Sequence, residues 1–274
     1  MWFRVILSIG LMLLMASCAT NRNAHHSSSV VQYLYPNVEK PMVSEQVPHL
    51  RLPLRVGIAF VPEQGTHGQV VISEEEKVKL MRNIGAHFKQ YDFVKHIEVI
   101  PGTYLRSKGS FSNLDQIATM FGIDVVALIS YDQSRFTANG LASIVYWTIV
   151  GAYVVPGEKN DTHTMVDAVV YDVASRKMLF RAPGVSHLHS NATPINLSEQ
   201  LRLDAHKGFE DASKDLIVSL DKKLQEFRER VKNSPTEYKV EHREGYGGGS
   251  LGFFELLLLL SSLMLMRWQH QRQA

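Results

Sequence analysis

Apolar residues run through this chain in three rhythms. Predominantly apolar blocks lie near either end, Val5 to Met15 and Phe253 to Met266, while between about Leu52 and Lys232 apolar positions recur at the periods of strands and helices. Leu54 to Val61 is a short apolar run with Pro62 behind it, which predicts a buried strand. Ser73-Glu74-Glu75-Glu76 has the form of a capping box, and three acids in the first turn suit the positive end of the helix dipole. Leu80, Met81, Ile84, Phe88 and Tyr91 then recur on one helical face through about residue 91. A strand follows around Val94 to Ile100 and ends at Pro101-Gly102. Ser112 is placed to cap a short helix with Leu114, Ile117, Ala118 and Phe121 on its apolar face, and Gly122 stops it. Ile123 to Tyr131 is the most strand-like run in the chain.

Beyond it the pattern changes to hairpins. Thr164 to Asp172 and Lys177 to Ala182 read as antiparallel strands joined by the tight connection Val173–Arg176. Asn196 and Glu199 have capping-box spacing, and the helix after them runs to about Lys232. Its apolar face is Leu216, Leu220, Leu224, Phe227 and Val231, with Lys222, Lys223, Arg228 and Arg230 on or near the other. Strands alternating with helices predict a single α/β domain over residues 52–232. Residues 18–51 lack periodic apolar signal and hold Asn21, Asn23, a Ser27–Ser29 run, Pro36, Pro41 and Pro48, which predicts a flexible tether. Residues 233–246 read as a linker. Leu141 to Pro156 fits no single pattern: it suits two strands broken near Gly151, a buried helix, or a surface that meets the membrane or a partner.

The two end blocks are addresses rather than core. Met1-Trp2-Phe3-Arg4 carries one cation, the apolar stretch follows, and Met15-Ala16-Ser17 precede Cys18, which predicts a secretory signal peptide over residues 1–17. Cys18 is the only cysteine, so no intramolecular disulfide can form. At the other end Gly247, Gly248, Gly249 and Ser250 lead through Leu251-Gly252 into the apolar helix 253–266, with Arg267 directly behind it. Glycine-rich backbone is cheap to unwind and too small to obstruct a protease cleft. The block is shorter than the roughly twenty residues of a comfortable membrane-spanning helix. Glu255 is costly in hydrocarbon away from the interface, and a cation at the far end is the usual cytoplasmic stop signal. Residues 247–274 therefore read as a transient membrane handle, an uncut tail anchor being the plain alternative.

Met15-Ala16-Ser17-Cys18 resembles the bacterial lipobox. That resemblance implies cleavage by the lipoprotein signal peptidase and a covalent lipid placed on Cys18 by acyltransferases. Ala19, which is not an acidic retention residue, implies the outer membrane by family habit. The tail resembles the GlyGly-CTERM sorting signal recognised by rhombosortases, which are rhomboid-type intramembrane serine proteases. The match lies in Gly247–Gly249, Ser250-Leu251-Gly252, Glu255, the leucines 256–260 and Arg267; the family usually ends in several arginines, whereas Trp268 and Gln269 follow here. The succession over 52–232 resembles the periplasmic domain shared by the curli secretion channel lipoprotein and the amino-terminal part of TolB. Its cues are the strand Arg55–Phe60, a helix–strand–helix–strand unit, and a late hairpin with Asp172 just before its turn. Taken together, lipobox, domain and tail resemble the rhombotarget lipoprotein family. This implies the envelope of a Gram-negative bacterium, with the inner membrane before tail removal and the outer membrane or cell surface after it.

Composition adds mainly exclusions. A formal net charge of +2, without a basic stripe interleaved with aromatics, gives no reason to expect a nucleic-acid partner. Gly247–Gly249 has no strand before it and no helix-opening lysine after it, so it is not a phosphate loop. No Gly-x-Ser-x-Gly elbow is present. His187-x-His189 would put two imidazoles on one face of an extended stretch, and His163 is a third such a face could gather. No cysteine and no fixed acidic spacing supports a metal, and after Pro183-Gly184 these histidines read as solvated loop residues. His25-His26 read likewise as polar tether residues. Asp124, Asp132, Asp167 and Asp172 fall in or at the ends of strands; Asp167, amid apolar neighbours, would need a partner if buried. No catalytic residue, metal or cofactor is predicted beyond the lipid on Cys18. The expectation is an envelope lipoprotein, processed at both ends, whose folded part binds or scaffolds. Tyr146, Trp147 and Tyr153 mark a candidate contact surface toward an envelope protein or a second copy. That would suit a subunit of an oligomeric export or channel assembly. A hydrolase using His187, His189 and an aspartate is the remaining class.

Overall fold

The strand–helix alternation read from the sequence is what the chain builds in the computed structural model, which describes residues 22–36, 46–63, 72–139, 158–193 and 195–243. The elements are β1 (Arg22–Ser27), α1 (Val30–Leu34), β2 (His49–Leu52), β3 (Leu54–Phe60), α2 (Glu74–Phe88), β4 (Val94–Val99), a 3-10 turn (Gly102–Tyr104), α3 (Ser110–Phe121), β5 (Val125–Asn139), β6 (Glu158–Asp172), β7 (Lys177–Ala192), α4 (Leu197–Asn233) and β8 (Lys239–His242). The main sheet runs β4-β3-β5-β6-β7. Its first three strands are parallel and its last three antiparallel. This is a mixed sheet in an α/β domain. Among the described residues no helix is long and apolar enough to cross a membrane.

Side chains leave the sheet alternately to two cores. Ile58, Phe60, Ala127, Ile129, Ala168 and Val170 face α2 and α4, while Ala59, Val61, Val126, Leu128, Val169 and Tyr171 face α1 and α3. Covered on both sides, this half of the sheet favours apolar residues on both faces, which is why its strands read as predominantly apolar runs. Local signals place the helices. Ser73 Oγ accepts from Glu76 N at 3.2 Å and the Glu76 carboxylate accepts from Ser73 N at 3.0 Å, completing the expected capping box. Gly122 closes α3 with φ +63, a left-handed conformation that costs a glycine little.

Several boundaries differ from expectation. Residues 22–34, expected within the tether 18–51, belong to the folded domain. β1 pairs antiparallel with Asp132–Thr137 of β5, and α1 buries Tyr33 and Leu34 in the second core. A five-residue helix is too short to show a period, and an edge strand has no requirement for apolar residues on both faces. Residues 239–242, expected within the linker 233–246, form β8 parallel to β2. β5, β6 and β7 extend far beyond Tyr131, Thr164 and Ala182, and this puts His187 and His189 in a strand rather than a loop. α3 begins at Ser110 behind Gly109, not behind Ser112. The expected capping box at α4 does not form. The Asn196 side-chain oxygen Oδ1 instead accepts from Thr193 N at 2.7 Å, and Glu199 pairs with Arg202.

Candidate functional site

α4 meets the sheet in two ways along its length. Gly184 lets β7 approach it so closely that a Cβ there would lie 2.1 Å from the Ala212 carbonyl oxygen and 2.3 Å from Leu216 N. Farther along, beneath Leu220, Leu224, Phe227 and Val231, the layers leave a half-open cavity of about 600 Å³. Its floor is Val56, Ile58, Ala127, Ile129 and Val170 of the sheet, Ile84 and Phe88 of α2 form a second wall, and Leu50, Leu52 and Val240 of the β2–β8 ribbon lie along its edge. Small-molecule sites occupy roughly 300–1,000 Å³, so this one is of ligand size.

The polar residues of the lining are few: Gln90, Asp92, Arg228 and Lys232. α2 ends at Phe88, and the turn behind it carries a run of stacked rings, Phe88 on Tyr91 at 6.0 Å and Tyr91 on Phe93 at 5.2 Å. The Arg228 guanidinium lies over the Phe93 ring at 5.2 Å and donates to the Gln225 side-chain oxygen Oε1 at 3.0 Å. Tyr91 donates to Asp221, and that hydrogen bond, with some burial, pushes the phenol above its usual range. The cavity thus combines a long apolar interior with a cation held on an aromatic plate.

A second cluster lies on the far half of the β5–β6–β7 meander. The antiparallel register sets His163 opposite His187 and Asp161 opposite His189, all on the sheet face turned away from α4. Asp161 Oδ1 is 2.5 Å from His187 Nε2, 3.3 Å from His163 Nε2 and 3.4 Å from His189 Nδ1. Burial works against the Asp161 charge, but the His187 hydrogen bond and the three imidazoles outweigh it and hold the carboxyl below its ordinary range. The His163 and His187 rings stack at 3.8 Å. His25 pairs with Asp132 on the same face, 3.1 Å away.

The other aspartates singled out from the sequence have structural partners. Asp167 is buried and takes both carboxylate oxygens to Arg181 Nε at 2.8 Å; burial still pushes it up. This is the structural hydrogen bond its setting required. Asp172 accepts from Ser175 N at 2.9 Å and so shapes the β6–β7 turn. Asp124 is gripped by Arg55, at 2.8 and 3.0 Å, and by Arg243. Burial opposes its charge, and the two guanidiniums prevail, keeping it below the usual carboxylate range. Cys18 with Met15, Ala16 and Ser17, the tail positions Gly247 to Gly252, Glu255 and Arg267, and the aromatics Tyr146, Trp147 and Tyr153 lie outside the described residues.

Sequence reasoning missed the cavity altogether. The aromatic density of Phe88, Tyr91 and Phe93 was its one visible trace. The histidine cluster did leave a trace, in the paired i, i+2 spacings Asp161-x-His163 and His187-x-His189. Compared with known proteins, the chain matches no protein-family model and no curated protein.

Proposed function

We propose that this chain is an envelope lipoprotein whose folded part binds an amphiphile, its apolar chain lying in the cavity between the sheet and α4. The observation that carries the binding reading is the cavity itself, of ligand size, apolar throughout its interior, with Arg228 and Lys232 among its few polar neighbours. A linear hydrocarbon with an anionic head matches that distribution: the interior offers no hydrogen-bond partners, and Arg228 offers a fork of donors at the Phe93 plate. The lipoprotein reading rests on the two ends of the sequence. The signal peptidase and acyltransferases would act at Cys18, with Met15, Ala16 and Ser17 as the recognised residues. A rhombosortase would cut in or beside Gly247–Ser250, where helix-breaking residues let the backbone enter an active site. Loss of the tail would leave the lipid as sole anchor, free to be sorted onward to the outer membrane or surface. The β3–α2–β4–α3–β5 succession with its following hairpin is consistent with the curli-channel and TolB type of periplasmic domain.

The binding test uses the full chain in mild detergent and a fluorescently labelled sixteen-carbon fatty acid as probe. Wild type should take up one equivalent. Leu224→Trp, which puts an indole into the cavity, should lose the probe while melting within a few degrees of wild type. Arg228→Gln should weaken binding by about tenfold, the loss of one charge-assisted contact. Uptake unchanged in Leu224→Trp would remove the cavity from the reading. The processing part is tested separately by intact mass from native membranes with and without the host rhomboid protease. A tail ending among Gly247–Ser250 only in the presence of the protease supports it, and retention of Phe253–Ala274 in both strains ends it.

A further inference from the structure

We infer that Asp161, His163 and His187 form a binding site for a divalent transition cation of the zinc type, with one coordination position left for water or an external ligand. The three residues come from adjacent strands in fixed register, Asp161 and His163 two apart on β6 and His187 facing His163 on β7. Their ligand atoms lie within 4.8 Å of one another. Metal–ligand bonds of about 2.0–2.1 Å place tetrahedral ligands roughly 3.3–3.4 Å apart. His163 Nε2 and Asp161 Oδ1 already have that spacing, 3.3 Å. His187 Nε2 sits closer, at 2.5 Å, in hydrogen-bond contact with the carboxylate. A cation replacing the proton needs the ring to withdraw by roughly 1 Å, which a half-exposed side chain can do by a small rotation.

Charge and chemistry agree with this geometry. Two stacked imidazoles repel if both are protonated, whereas two neutral imidazoles beside one carboxylate offer three lone pairs, which a cation would gather by turning the rings out of their 3.8 Å stack. Two histidines and one carboxylate are the donor set of zinc and non-haem metal sites that keep a position open. His189 stands beside the cluster, its Nδ1 at 3.4 Å from Asp161. The Phe136 ring meets His163 edge-on at 6.3 Å and forms an apolar wall on the other side. Because the ligands span β6 and β7, the bound cation would tie the far ends of the two strands together across the open face. The site is separate from the apolar cavity and stands or falls without it.

The test titrates zinc, and then cobalt(II) as a spectroscopic probe, into the full chain in detergent, stripped with chelator and carrying no histidine tag. One equivalent of zinc should bind, and cobalt should give the strong visible absorption of a four-coordinate complex. His187→Ala and Asp161→Asn should each weaken zinc binding by more than the roughly 10–100-fold that loss of an outer-shell partner costs. His25→Ala, on the same face but outside the cluster, should leave it unchanged. All four residues are at least partly exposed, so the variants should keep the wild-type circular dichroism spectrum; should one fail, His163→Gln supplies the same comparison. Zinc binding that survives His187→Ala, or falls equally in His25→Ala, overturns the inference, as does the absence of stoichiometric binding to wild type.

Discussion

The three long strands β5, β6 and β7 are built differently at their two ends. Near the β6–β7 turn β5 and β6 lie between helices on both sides, and Val125–Tyr131 and Val166–Asp172 are buried at every position. At the other end α4 covers one face alone, and burial alternates. Gln133, Arg135 and Thr137 are buried while Ser134 and Phe136 face outward. The covered face of this far half is itself polar. Gln133 donates to Thr164 Oγ1 at 2.8 Å and to the Ala205 carbonyl, Thr137 donates to Asn160, and Ser190 and Gln200 both donate to Asp204. The same helix is thus held by hydrogen bonds over its first half and by apolar contact, around a cavity, over its second. The comparison teaches that the near half is the stability-bearing part, while the far half has side chains to spare for chemistry.

Substitutions should separate the two halves in order of size. Gly184→Ala, where the layers come closest, drives a Cβ into α4 backbone; it should cost about 3 kcal/mol or more, or prevent folding, as read by urea unfolding. Leu128→Ala, fully buried in the near half, should cost about 3 kcal/mol in the same assay. Asp204→Ala, which strands the hydrogen bonds of Ser190 and Gln200 in the far half, should cost about 2 kcal/mol. Phe136→Ala on the open face should stay within about 0.5 kcal/mol of wild type. A loss at Phe136 as large as that at Leu128 would mean that the far face is covered in the working protein.

Acid should act through Asp124. Its folded carboxyl is held below its ordinary range by Arg55 and Arg243 against the effect of burial, so it binds its proton less readily folded than unfolded. The stabilisation is therefore full above the unfolded pKa of about 4 and is lost as pH falls through the depressed folded value. The stability gap between wild type and Asp124→Asn should be widest near neutral pH and close as pH drops below about 4. A gap that grows with acidity would reverse the assignment.

The near half was legible in the sequence because double coverage leaves a mark at every position. Val56–Val61 and Val125–Ile129 are apolar without a break, Ser73 and Glu76 announce the start of α2, and Gly122 announces the end of α3. The far half was not, because neither face carries an apolar alternation. Gln133, Arg135, Thr162 and Thr164 point at α4, and Asp132, Ser134, Asp161 and His163 point away from it. β1 was hidden for a related reason, as a polar edge strand whose sheet partner among the described residues, β5, lies about 100 residues away in sequence. The two candidate sites fared differently. Spacing placed His187 and His189 on one face with His163 as a possible third, but only the register of β6 against β7 sets His163 opposite His187 and brings in Asp161. A cavity has no sequence pattern, since it depends on what the surrounding side chains fail to fill.

The most direct measurement is native mass spectrometry of the protein released from its own membranes, wild type beside Leu224→Trp. Wild type should carry one non-covalent adduct with the mass of an acidic amphiphile, and Leu224→Trp should fly without it. An adduct-free wild type, or an adduct retained in Leu224→Trp, would contradict the claim that the cavity above β5 is a ligand site.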